Sequence, residues 1–227
     1  MNRAKNIANN FGADWMIYLD ADEFVVLNYF KNVKDMLYMF RFADQLAINW
    51  VAFGSNNHIT DPEGLMLDNY TRSDAKLNNH VKSFVRPSQI IKATNPHFYH
   101  IVNSLRNITI NNKVLSPPRA FNECDIKFDE AYAFIAHYAI QSEETHTRRK
   151  VFLPTDNTGI FRGHPISSDL HQAHNSTENL IPKIKYAERV KKFLSYFDGS
   201  FVNKLDNYKE ESDLQEESEL QEESEEE

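Results

Sequence analysis

Five residues with no formal charge, Trp15-Met16-Ile17-Tyr18-Leu19, lead directly into Asp20-Ala21-Asp22-Glu23. A short apolar run bounded by polar residues reads as a buried strand. Carboxylates clustered at the end of such a strand are costly unless a cation neutralises them. Oxygen ligands suit Mg²⁺ or Mn²⁺, which keep positions open for water and phosphates. The carboxyl end of a strand is also where open α/β sheets place their ligands. Asp20 and Asp22 share a face if the strand stays extended, and reach one ion if the chain turns after it. The D-x-D pattern alone is weak, because a solvated turn at a strand end has the same composition.

The rest of the chain mixes helical and strand patterns, which predicts an α/β fold. Residues 1–11 read as an amphipathic helix with Ala4, Ile7, Ala8 and Phe11 on one stripe, ended by Gly12. Residues 24–27 predict a short strand, and 46–53 a buried one. Residues 33–42 predict a helix, apolar at Val33, Met36, Leu37 and Phe40. The stretch 54–64, rich in Asn, Gly and Pro, reads as a loop, and 65–71 stays ambiguous. Strands are expected over 80–86, stopped by Pro87, and over 108–115, with a break at Asn111-Asn112. Residues 133–140 read as buried. Ser142 is an N-cap for a helix over 142–150, with Glu143 and Glu144 suited to its first turn. Residues 155–177 read as loop-rich. Residues 179–197 read as a helix with Ile184, Ala187, Val190 and Leu194 on one stripe.

Charge divides the chain. From Glu210 to Glu227 there are 11 acidic residues and no basic one, which leaves 22 acidic and 25 basic residues in the preceding 209. The tail repeats LQEESE in tandem, cannot bury a core, and reads as disordered. Residues 1–200 are therefore expected to form the folded domain and 201–227 an acidic disordered tail. The mildly basic body lacks the basic stripe of a nucleic-acid binder. The single cysteine, Cys124, excludes an intramolecular disulfide framework. With no apolar run long enough for a membrane span and no secretory leader, the default localisation is cytoplasmic.

Several ordered motifs follow the carboxylate cluster. The pattern W-x-x-x-x-D-x-D-E-F ends at Phe24, and Trp50-Val51-Ala52-Phe53-Gly54-Ser55 comes next. Then follow Asp68-Asn69-Tyr70-Thr71-Arg72 and Val81-Lys82-Ser83-Phe84-Val85-Arg86-Pro87. Asn95-Pro96-His97-Phe98-Tyr99-His100 and His137-Tyr138-Ala139-Ile140-Gln141-Ser142-Glu143-Glu144 complete the series. Over roughly residues 14–150 the chain resembles D-x-D glycosyltransferases of the GT-A type, family 2-like enzymes and glycosyltransferase family 92. Gln141 stands where that pattern carries a lysine.

The resemblance implies an incomplete GT-A (Rossmann-like) mixed sheet, an irregular helical carboxyl half, and a role in glycan biosynthesis. The activity implied is metal-dependent, inverting transfer from a nucleotide-sugar donor to a glycan, lipid-linked or protein acceptor. Such enzymes carry a nucleotide-binding βαβ region ahead of the D-x-D strand, whereas 19 residues precede Asp20 here. This leaves a piece of a longer enzyme, a partner chain supplying that half, or a degenerate chain.

The resemblance makes Asp20, Asp22 and His137 the ligands of Mn²⁺ or Mg²⁺, with Glu23 supporting that shell or an acceptor hydroxyl. Asp68 is the first candidate base, with Asp61 and Glu63 as rivals. Lys82 and Arg86, on one strand face, are candidates for donor phosphates. Trp50 is a core or sugar-stacking residue, and His97 an acceptor-site candidate. The competing reading is a catalytically inactive glycan-binding or scaffold remnant. A third, a phosphohydrolase, needs further ligands that the sequence does not supply.

Overall fold

The computed structural model describes residues 1–152 and 174–196. The expected disordered tail, the boundary at residue 200 and most of the loop-rich stretch 155–177 lie outside the described residues. The chain divides into two compact units, Met1–Lys183 and Ile184–Glu227.

In the first unit the central strand is β2, Gln45–Ala52. Its side chains are buried on both faces apart from the half-buried Trp50, as a nearly continuous apolar run predicts for an inner strand. The flanking strands are β1 (Glu23–Leu27), β4 (Val81–Val85), β7 (Asn107–Thr109) and β8 (Ala133–His137). The short β3 (Arg72–Ser73) and β9 (Thr177–Glu178) pair with each other, as do β5 (Ile90–Lys92) and β6 (His100–Ile101). The main sheet runs β1-β8-β2-β4, with β7 also paired to β2. β8 and β7 lie parallel to the two halves of β2, while β4 and β1 pair antiparallel with their neighbours. The expected mixed sheet is therefore present.

Helix α1, Asn2–Asn10, ends as its sequence predicts: Gly12 has φ +65°, and the Gly12 and Ala13 N–H groups return to the Asn9 and Ala8 carbonyls. Helix α2, Val33–Met39, starts at Asn32, whose side chain accepts from the Asp35 N–H. It presses Met36 onto Leu27, Leu46, Ile48, Phe84 and Ile135 of the sheet. Each such fully buried aliphatic side chain is worth about 1.5–3 kcal/mol. The break expected at Asn111-Asn112 is a tight turn with Asn112 at φ +59°, so β7 is shorter than the run from 108 to 115 suggests.

The expected buried strand at Trp15–Leu19 is a correction. The segment makes one antiparallel bridge, Met16 to Val85, beside β4, and Leu19 is exposed. Among the described residues no strand pairs with its other side, so the main-chain hydrogen bonds that define a strand do not form along it.

The ambiguous stretch 65–71 holds the short helix α3, Met66–Asn69. Helix α4, Glu143–His146, begins at Ser142, whose hydroxyl accepts from the Thr145 N–H, and continues as a π-helix over Thr147–Phe152. In the second unit, α5 spans Glu188–Leu194 and carries a Lys191–Glu188 ion pair. Among the described residues no helix is long and apolar enough to cross a membrane.

Candidate active site

The chain turns at Asp20-Ala21-Asp22, where the Glu23 N–H donates to the Asp20 carbonyl. The Asp20 N–H in turn donates to Glu23 Oε2 at 2.9 Å, which ties the two acids together. Lys82, the second residue of β4, pairs in register with Ile48 and so projects from the same sheet face. Its Nζ lies 3.0 Å from Asp20 Oδ2 and 3.1 Å from Glu23 Oε2. The Lys82 and Glu23 side chains are fully buried, while that of Asp20 is 66% exposed. Burial pushes the Glu23 carboxyl above the usual range, against the opposing pull of the Asp20 N–H and Lys82. Glu23 Oε1 is buried with no hydrogen-bond partner among the described residues.

Asp22 closes the turn. β1 pairs with β8 with Glu23 opposite His137, and the Tyr138 N–H donates to the Asp22 carbonyl. The buried Asp22 carboxylate accepts from Arg149 Nη2 at 2.8 Å, and its other oxygen lies 3.9 Å from His137 Nε2. Arg149 comes from the π-helix, a wide turn often found at functional sites. His137 packs against Trp50, ring centroids 4.2 Å apart. Trp50 stacks on His80 at 4.8 Å and tilts against His97 at 5.3 Å. The ring of His97 is held at the Val81 carbonyl, and burial pushes both His80 and His97 below the usual histidine range.

The structure thus gathers Asp20, Asp22, Glu23, Lys82, His137, Trp50 and His97 at one end of the sheet. It places Arg86 elsewhere: the guanidinium donates to the Ala43 and Arg41 carbonyls and lies over Trp15 at 4.4 Å. Four residues along an extended strand carry it about 13 Å from Lys82.

Asp68 and Glu63 belong to a separate group. Asp68 sits on α3, where Lys183 approaches its carboxylate at 3.8 Å and donates to its carbonyl. The Glu63 carbonyl accepts from Asn69 Nδ2. The loop 54–64 is fastened to the start of α4. Asp61 accepts from the Ser142 and Thr145 hydroxyls, and the Glu143 and Glu144 N–H groups donate to the His58 and Ile59 carbonyls. Gly54 fits here because a Cβ would lie 2.7 Å from the His174 backbone.

The hydroxyls of Ser142 and Thr145 hold the Asp61 carboxyl below the usual range, with Arg148 adding less. A depressed carboxylate contributes stability above its unfolded pKa of about 3.9 and loses it as pH falls through the lower folded value. The gap in melting temperature between wild type and Asp61→Asn is therefore full above about pH 4 and closes below it. A gap that stays constant under acid would contradict this role for Asp61.

Two partners escaped the sequence reading. Arg149 stands in the basic run Arg148-Arg149-Lys150, which a place at the end of a helix favours without any site. His80, which stacks on Trp50, carried no signal of its own. Among the described residues no three His, Cys, Asp or Glu side chains converge as a metal shell. The model of glycosyltransferase family 92 matches residues 7–139, a span that includes Asp20, Asp22, Glu23, Lys82 and His137 and stops before Arg149. No curated protein matches the chain.

Proposed function

The chain belongs to glycosyltransferase family 92, and from that premise we propose that it transfers a sugar from a nucleotide-sugar donor to a glycan, lipid-linked or protein acceptor, with inversion. The observation that carries this reading is the buried Asp22 carboxylate held between Arg149 and His137 at the end of the sheet.

The residues fit a hard divalent cation. Two ligands each about 2.1 Å from one ion lie at most about 4.2 Å apart, and Asp22 Oδ1 and His137 Nε2 are 3.9 Å apart. Asp20, largely exposed, has freedom to join them. Mn²⁺ or Mg²⁺ would be held by Asp20, Asp22 and His137. Such an ion, when bound, neutralises charge on the leaving nucleoside diphosphate.

The chain's own residues do the rest. Arg149, about a third exposed, offers a planar fork that suits phosphate oxygens once Asp22 is otherwise engaged. Lys82 is a positioning residue, since its buried amine fixes Asp20 and Glu23. Asp68 takes the acceptor's proton as that oxygen bonds to the anomeric carbon. The electron pair of the breaking glycosidic bond leaves with the diphosphate. Asp61 is the poorer base, because hydroxyl donors already hold its carboxylate below the usual range. Glu63 shares the α3 group and is the alternative to Asp68.

One observation favours a second reading, a glycan-binding remnant without catalysis: Asp22 and Asp20 are already bonded by Arg149 and Lys82, side chains that neutralise them without an ion. Calorimetry with a panel of nucleotide sugars, with and without Mn²⁺, separates the two. Saturable, Mn²⁺-dependent binding supports the transferase. A folded protein that binds no nucleotide sugar leaves the remnant.

A further inference from the structure

We propose that the cleft walled by residues 74–80 and Phe121 is the acceptor subsite and takes a neutral oligosaccharide. The cleft is shallow and open to solvent, has a volume of about 580 Å³, and is lined by Asp74, Lys76, Leu77, Asn78, His80 and Phe121, with Asn79 beside them. That volume lies within the range of small-ligand sites, roughly 300–1,000 Å³.

Its walls are tied by the main chain. The Leu77 N–H donates to the Ile126 carbonyl, the Asn122 N–H to the Asn79 carbonyl, and the Val81 N–H to the Ala120 carbonyl. A cleft ordered in advance loses little freedom on binding.

The lining selects the chemistry. Phe121 is 52% exposed and presents a ring to the cleft, against which the C–H face of a pyranose can lie. Carboxamides such as the exposed Asn79 both donate to and accept from hydroxyls. Asp74 is hydrogen-bonded to the His174 ring at 2.9 Å, and Lys76 pairs with Asp125 at 2.5 Å. Among the described residues the one lysine of this wall is already paired, which argues for an uncharged sugar and against the donor.

Position supplies the link to catalysis. Phe121 meets His80 edge-on at 4.6 Å, His80 stacks on Trp50 at 4.8 Å, and Trp50 contacts His137 at 4.2 Å. His137 then faces Asp22 at 3.9 Å. An unbroken file of rings runs from the cleft to the carboxylate. Identifying the bound glycan as an acceptor rests on the transferase reading above; the cleft as a glycan site does not.

The test is a printed array of defined oligosaccharides with neutral hexose, N-acetylhexosamine and fucose termini, followed by calorimetry with the strongest saccharide. Phe121→Ala is expected to weaken binding about tenfold and Asn79→Ala to weaken it less, while Phe121→Trp retains it. Thermal melting confirms that each variant is folded. Array binding that Phe121→Ala leaves intact, or no array binding by wild type, overturns the proposal. Saccharide binding lost in Phe121→Ala without any nucleotide-sugar binding upholds the cleft and sinks the transferase reading instead.

Discussion

Asp22→Asn is expected to lower sugar transfer by two to three orders of magnitude without unfolding the protein. The amide keeps the shape of the carboxylate and still accepts a hydrogen bond from Arg149, so the packing survives. What goes is one negative charge in a buried position. Charge stabilisation at a site of this kind is worth several kcal/mol, and each 1.36 kcal/mol is a factor of ten in rate. Asp20→Asn should cost less, because Asp20 is 66% exposed and solvent can replace much of what it offers. Two measurements check the ordering: nucleoside diphosphate release from a labelled donor, and Mn²⁺ titration followed by electron paramagnetic resonance. An Asp22→Asn protein that binds Mn²⁺ and turns over like wild type would remove Asp22 from the site.

The sequence exposed the parts of the fold that depend on neighbours close in the chain. The apolar runs at 46–53 and 133–140 became β2 and β8, which carry Trp50 and His137, and Gly12 and Ser142 ended and began helices through short-range bonds. The run Trp15–Leu19 shows where that logic stops. Five apolar residues look the same whether a strand has partners on two sides or a single bridge on one, because periodicity does not count neighbours. The candidate site divides in the same way. D-x-D and the ordered motifs after it pointed to Asp20, Asp22, Glu23, Lys82 and His137. What they bond to depends on register and on long separations: Lys82 reaches Asp20 across 62 positions, Ser142 reaches Asp61 across 81, and Arg149 reaches Asp22 across 127. The π-helix that carries Arg149 follows an ordinary helix-start signal and leaves no periodic mark of its own. Lys82 and Arg86 share a strand face, as their spacing says, but the β2 pairing puts Arg86 opposite the end where Asp44 lies.

The second large effect is on stability. Lys82→Met is expected to cost about 3–5 kcal/mol, the usual result of removing one partner from a buried ion pair. Methionine matches the aliphatic stem of lysine, so the loss is electrostatic and not steric. The damage falls unequally on the two acids. Asp20 is 66% exposed, and water takes over the bond it gives up. Glu23 is fully enclosed, one of its oxygens lacks a partner among the described residues, and without Lys82 the other keeps only the Asp20 N–H there. A cost of this size is a large share of the roughly 5–15 kcal/mol that holds a domain folded. Lys82→Met/Glu23→Leu separates this cause from general damage, because replacing a whole buried pair with apolar groups of similar volume is often neutral. Urea unfolding should therefore place the single variant well below wild type and the double variant near it. A single variant as stable as wild type would mean that the enclosed Glu23 is already protonated and that Lys82 holds Asp20 alone.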